Sequence, residues 1–295
     1  MNPFRLEPYV KKAIWGEERW VLSGMPGRES VAEDGRTVTE LLSDMKEDLV
    51  GAAAYGMYGG AFPLLAKFID AKKDLSLQVH PDDALARARH GSPGKTEMWY
   101  VVSATPDAKI LAGFARPLSP AEYERLSSGD ATGLIGAVVR HGSRPGETFF
   151  LPAGTVHAIG GGNLIAEIQQ PSDVTYRLCD YGRLDADGRP RELHVELAKD
   201  AVDLSSTCAP VSYDRSAGRA SLASCAHFTV ERLTVDGETS IDFGVDSFVA
   251  TLCVEGKASV NGVETVQGGT LLVPAADRTM RIRGDAVLLA AYIKN

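Results

Sequence analysis

One eight-residue phrase occurs twice in this chain, and each copy has the form of a strand running into a turn. Gly146-Glu147-Thr148-Phe149-Phe150-Leu151-Pro152-Ala153 matches Gly268-Gly269-Thr270-Leu271-Leu272-Val273-Pro274-Ala275 position by position. Repeated local patterns point to a duplicated unit, although a glycine, an apolar run and a proline also make a common strand-and-turn phrase. From Phe228 onward the chain is a series of short apolar runs between glycine turns: Phe228 to Val235, Phe248 to Val254, Ala258 to Val260, Thr270 to Val273 and Ala286 to Ile293. Such regular spacing suggests a barrel or jelly roll. The expected fold is therefore mainly β, two jelly-roll barrels with a few helices inserted in or flanking the first.

The segment 204–224 has no clear period and is rich in serine, proline and small residues. It divides the chain into 1–203, a first barrel with helical insertions, and 225–295, a smaller β domain. Helical patterns are expected from an N-cap at Thr39 to Leu49, over Asp82 to Arg89, over Ser119 to Leu126, and over Glu192 to Val202. The small residues of Gly51 to Gly60 predict a loop.

Within the first part, Leu75-Ser76-Leu77-Gln78-Val79-His80 alternates apolar and polar residues. On a strand this sets Ser76, Gln78 and His80 on one face and Leu77 and Val79 on the other. One face can enter a core while the other presents an amide beside an imidazole. A half-buried strand with a polar outer face is the plainer account of such a run. In Gly94 to Val102 the same alternation groups Lys95, Glu97 and Trp99. Glu167 lies inside an apolar run, where a carboxylate costs several kcal/mol to bury unless it is paired or held in a metal network. Arg177 shares a predicted strand face with Thr175 and Cys179. In the first copy of the repeat His157 follows Pro152 by five residues, whereas the same offset from Pro274 reaches Thr279. The second half also has no counterpart to Gln78 and His80. Any chemistry thus belongs to the first barrel, where His80, Glu97 and His157, with Gln78, form a candidate set of nitrogen and oxygen metal ligands.

A net charge of -8 provides no basic stripe for a nucleic acid. No apolar run is long enough to span a bilayer, and the N-terminus has no apolar leader. The cysteines Cys179, Cys208, Cys225 and Cys253 include no CxxC pair and read as reduced thiols, with the cytoplasm the expected location.

Phe62 to Asp70, Leu75 to Asp83, Gly94 to Tyr100, Pro152 to Gly160 and Asp173 to Gly182 together resemble the type I mannose-6-phosphate isomerases, zinc-dependent enzymes of the cupin superfamily, in their short bacterial form. The phrases QVHPDD, GKTE-x-WY and PAGTVHA, in that order, carry the resemblance, which runs from Trp15-Gly16 to about Asp200. It implies one zinc ion per chain on Gln78, His80, Glu97 and His157, and a catalytic arginine at Arg177. It implies a small sugar phosphate as partner; no nucleic acid or membrane partner is expected, and the sequence leaves monomer or dimer open.

The reaction so implied interconverts mannose 6-phosphate and fructose 6-phosphate through a cis-enediol. It needs a base, and a positive group for the charge growing on the carbonyl oxygen. Arg177 suits the second role. Glu167 is the expected base, since burial raises a carboxyl pKa; it could equally serve as a partner for Arg177 or Lys95. The expected phosphate contacts are Lys67, Ser76 and Lys95, with Arg177 beside the sugar. Two alternatives use the same residues. Two histidines and a carboxylate on a cupin barrel also make the iron site of oxygenases, and a non-catalytic sugar-phosphate-binding cupin would keep the pocket.

Overall fold

A computed structural model describes residues 2–129, 131–185, 187–277 and 279–294. The chain is mainly β, and the described residues form two compact units. One comprises residues 1–11, 19–68 and 212–295; the other comprises 12–18 and 69–211. The cut differs from a linear division at 204–224, because the N-terminal strand Phe4–Glu7 pairs with Thr270–Val273 and so joins the C-terminal sheet.

In the second unit, a five-stranded sheet runs in the order Tyr176–Cys179, Leu77–Val79, His157–Ile159, Lys109–Phe114, Val138–Gly142. A second sheet contains Thr148–Leu151, Glu97–Ala104 and Asn163–Gln169, and continues into Leu65–Ala71, Gly16–Leu22 and Tyr9–Ala13, whose residues divide between the units. Alternation along these strands feeds two cores. Leu77, Val79, Leu111, Ala158, Tyr176 and Leu178 pack with Tyr123 of the helix Pro120–Ser127 and Leu134 of Thr132–Ile135. The opposite faces supply Ile110, Ala112 and Ile159, which pack with Trp99, Val101, Phe149, Leu151 and Ile165 of the other sheet. Burying each such large side chain stabilises the fold by about 1.5–3 kcal/mol. Gln78, His157 and Glu97 lie on the strand faces turned toward this second core.

In the first unit an eight-stranded sheet built mainly from residues 219–292 encloses its own core, with Leu233, Val249, Leu271, Val273, Ile282 and Leu288. The repeated phrase has the same backbone bonding in both units. Gly146 N–H donates to Val101 O at 2.8 Å and Val101 N–H to Glu147 O at 2.9 Å; Gly268 N–H donates to Cys253 O at 2.8 Å and Cys253 N–H to Gly269 O at 2.9 Å. Leu151 then stands opposite Glu97, as Val273 stands opposite Val249. The two copies are thus alike in pairing and turn as well as in sequence.

Three local expectations are corrected. The first helix is Val38–Met45, capped by Thr37 and not Thr39. The Thr37 hydroxyl accepts from Glu40 N–H at 3.1 Å while the Glu40 carboxylate accepts from Thr37 N–H at 2.7 Å, a reciprocal capping box. Residues 52–58 form a helix, Ala52–Tyr58, and not a loop. Its first N–H donates to Asp246 Oδ2 at 3.0 Å, so the residue that starts it is remote in sequence. The helical pattern of Glu192 to Val202 yields only the single turn Val195–Ala198.

Thr37→Ala should lower unfolding free energy by about 1 kcal/mol, and Thr39→Ala by less than half of that. Urea denaturation of both variants checks the assignment; equal losses would contradict it.

Candidate metal centre

Backbone register aligns the site. His157 pairs with Gln78 on one side and Ala112 on the other, and Gln78 pairs in turn with Arg177. Residues directly opposite in a ladder share a face, so Arg177, Gln78 and His157 form one row across three strands. His80 follows in the loop beyond Leu77–Val79, and Glu97 opens the strand Glu97–Ala104 of the facing sheet.

His80, Glu97 and His157 converge, with one ligand atom of each lying within 4.8 Å of the others. His80 Nε2 is 3.2 Å from His157 Nε2 and 3.5 Å from Glu97 Oε2, and Glu97 Oε1 is 3.2 Å from His157 Nε2. Ligand atoms held ~2.0–2.1 Å from one ion can lie no more than about 4.2 Å apart, so each of these contacts is short enough for a shared ion. All three side chains are buried.

The rings are oriented from behind. His80 Nδ1 donates to Val174 O at 2.9 Å and His157 Nδ1 to Thr155 O at 2.8 Å. A carbonyl only accepts, so each ring carries its proton on Nδ1 and turns the Nε2 lone pair inward. Burial, with the Lys95 ammonium adding to it, pushes His157 down to about 4 and leaves it a neutral donor at neutral pH. Two lone pairs and a carboxylate thus face one another in a dry interior, an arrangement that calls for a cation. Lys95 Nζ supplies one charge, donating to His80 Nε2 at 3.0 Å and lying 2.9 Å from Glu97 Oε2. Gln78 Nε2 lies 3.3 Å from His157 Nε2; a half-turn of the amide would put its oxygen there.

Glu167 stands opposite Trp99 in the ladder, and its Oε2 accepts from the Trp99 indole N–H at 2.8 Å. That indole, missed as a site residue in the sequence, also meets the His157 ring edge-on at 5.2 Å. Ser76 is buried immediately before the strand Leu77–Val79. Lys67 belongs to the other unit, where its ammonium sits 5.0 Å from the Trp20 ring centre.

Arg177 does not share a face with Cys179 as alternation predicts. The register shifts between them, so Arg177 stands opposite Gln78 while Cys179 stands opposite Leu77 and joins the outer core. Such a bulge re-aims a side chain. The Arg177 guanidinium is half-buried, and its Nε is buried without a hydrogen-bond partner among the described residues. Asp180 is occupied by Arg183 at 2.5 Å and by Arg191. Burial, followed by the charge of Arg191, moves the Arg177 pKa down from the usual guanidinium value.

Facing antiparallel sheets with a histidine-carboxylate cluster between them define a cupin-type barrel protein with a candidate metal site. A family model described as phosphomannose isomerase type I, catalytic domain, matches residues 6–99. Mannose-6-phosphate isomerase ManA of Bacillus subtilis is 31% identical over 320 residues, covering 99% of each chain. The chain belongs to the type I mannose-6-phosphate isomerases, a family of aldose–ketose isomerases. The crystal structure of the mannose 6-phosphate isomerase from Bacillus subtilis superposes with a TM-score of 0.88 at 29% identity, covering 99% of this chain and 100% of that one. A mannose 6-phosphate isomerase solved bound with zinc and yttrium shares the fold, with a TM-score of 0.78 at 17% identity over 100% of both chains.

Trp99→Phe keeps the ring and removes the donor to a buried carboxylate. It should destabilise the protein by about 1.5–3 kcal/mol, read by denaturant unfolding; a loss under about 0.5 kcal/mol would show that this hydrogen bond matters little.

Proposed function

We propose that this protein is a zinc-dependent mannose-6-phosphate isomerase, interconverting mannose 6-phosphate and fructose 6-phosphate through a cis-enediol. The carrying observation is the triangle of His80 Nε2, His157 Nε2 and Glu97 oxygens at 3.2–3.5 Å. The family to which the chain belongs supplies the substrate. His80, Glu97 and His157 would hold the ion, and Gln78 would join them once its amide turns, with a position left open for substrate. When bound, the ion polarises substrate oxygens as a Lewis acid.

The remaining work falls to the chain's own groups. The base removes the proton from C2 of the aldose and returns it to C1, while O1 gains a proton and the O2 hydroxyl gives one up, leaving the ketone at C2. Glu167 is the proposed base, held by the Trp99 indole. Arg177 carries a permanent positive charge suited to the enediolate oxygen. His80 Nε2 has a single lone pair. Once that pair serves an ion, Lys95 remains beside Glu97 and its other N–H groups become available. Lys95 is accordingly proposed both as a proton carrier and, with Ser76 and Arg177, as a contact for the phosphorylated sugar. The four free cysteines suit a reducing compartment, and the cytoplasm is the proposed location.

His80→Ala should abolish stoichiometric zinc and turnover together, read by metal analysis and a coupled isomerase assay. Zinc retained at one per chain would remove the ligand assignment. Arg177→Ala should lower kcat by at least about 100-fold while zinc content stays at the parent level. Turnover that survives complete chelation would refute the metal-dependent reading.

A further inference from the structure

The strand Tyr176–Cys179 is an edge of its sheet, and an edge leaves backbone groups in need of partners. At Arg177 those partners come from a segment further along the chain. His194 N–H donates to Arg177 O at 2.7 Å, and Arg177 N–H donates to His194 Nδ1 at 3.1 Å. The guanidinium Nη1 donates to Glu192 O at 2.7 Å. The main chain and the head of one arginine are therefore fixed by the same short stretch.

An ordinary edge would be closed by a carbonyl from another strand; here an imidazole closes it. Its Nδ1 accepts, so its proton sits on Nε2, the opposite tautomer to His80 and His157. The ring is held in turn. It lies 6.3 Å, centre to centre, from the Tyr176 ring, and the buried Tyr176 hydroxyl meets His90 Nε2 at 2.8 Å. The charged and titratable groups facing His194 are Arg177 and Tyr176 from the edge strand, His90 from the helix Asp83–His90, and Glu192 from its own segment.

We infer that His194 is a positioning residue for Arg177, aiming the guanidinium through a neutral imidazole that accepts the Arg177 backbone N–H. His194 itself is not assigned any contact with the sugar. The inference rests on the reading that Arg177 acts on the enediolate. Burial, then the charge of Arg177, lowers the His194 pKa from its ordinary value, which favours the accepting form. Protonation would convert Nδ1 into a donor facing another N–H and would add a positive charge beside the guanidinium.

The test uses the zinc-loaded protein. His194→Phe keeps a ring without an acceptor and should lower kcat about ten-fold, with a smaller change in KM and unchanged zinc content. His194→Asn restores an acceptor oxygen near the Nδ1 position and should recover kcat to within about three-fold. In an Arg177→Ala background, His194→Phe should cost nothing further, whereas independent roles would multiply. Parent-level turnover in the His194→Phe protein, or multiplicative losses in the double variant, overturns the inference. Unchanged turnover in Arg177→Ala alone would instead remove the reading beneath it. If the phenylalanine variant does not fold, the asparagine variant carries the test: the ratio of parent kcat to that of His194→Asn should fall progressively at pH values below the ordinary imidazole range of about 6.5. A constant ratio would overturn it.

Discussion

The backbone register of Tyr176–Cys179, Leu77–Val79 and His157–Ile159 is the constraint on which the site depends. Side chains on a strand alternate with a period of two, so a slip of one residue exchanges the faces of the whole strand. A slip of Leu77–Val79 would bury Gln78 among Tyr176 and Leu178 and send Leu77 toward the imidazoles. What prevents it is the outer core. Leu77 and Val79 are fully buried against Leu111, Phe114 and the helices behind them, and exposing them would cost several kcal/mol. The ordinary apolar packing of one face thus fixes the unusual polar chemistry of the other.

The same division explains what could be read from the sequence. The alternation of Leu77-Gln78-Val79-His80 is local, and strand geometry alone assigns its faces. The duplicated phrase is equally local, and its backbone bonding repeats accordingly. Features that depend on remote partners were less accessible. Nothing in residues 51–60 reveals that Asp246 will cap the helix Ala52–Tyr58. The bulge after Arg177 carries no glycine or proline to mark it, so simple alternation put Arg177 with Cys179. The pairing of Glu167 with Trp99 follows from inter-strand register, which no single segment specifies. Thr37 is a different case: its box with Glu40 is visible in the sequence three residues apart, but Thr39, nearer the first paired leucines, competes with it.

Electrostatics inside the site are set by what the backbone offers. Val174 and Thr155 carbonyls fix the tautomers of His80 and His157, so both lone pairs point at one spot before any ligand arrives. In a dry interior that concentration of acceptors is unfavourable on its own. Lys95 offsets part of it, and a bound cation would offset the rest. The site is therefore preorganised, with its orientation maintained by main-chain carbonyls. At Arg177 the order is inverted: there an imidazole serves the main chain.

Comparison of the two copies shows which positions carry this burden. Where the first has Glu97 opposite Leu151, the second has Val249 opposite Val273. Where His157 begins a strand, Thr279 begins one. The turn after the repeated phrase is closed alike, by Thr155 N–H to Pro152 O at 3.1 Å and by Asp277 N–H to Pro274 O at 2.9 Å. The scaffold thus tolerates either an apolar or a ligating set at identical backbone positions. Val249 and Val273 lie in a continuous hydrophobic cluster that needs no ion. Buried Glu97, by contrast, bears a charge whose desolvation must be compensated. The fold supplies the same backbone positions in both units, and the side chains at those positions decide whether a buried charge there needs a counter-charge.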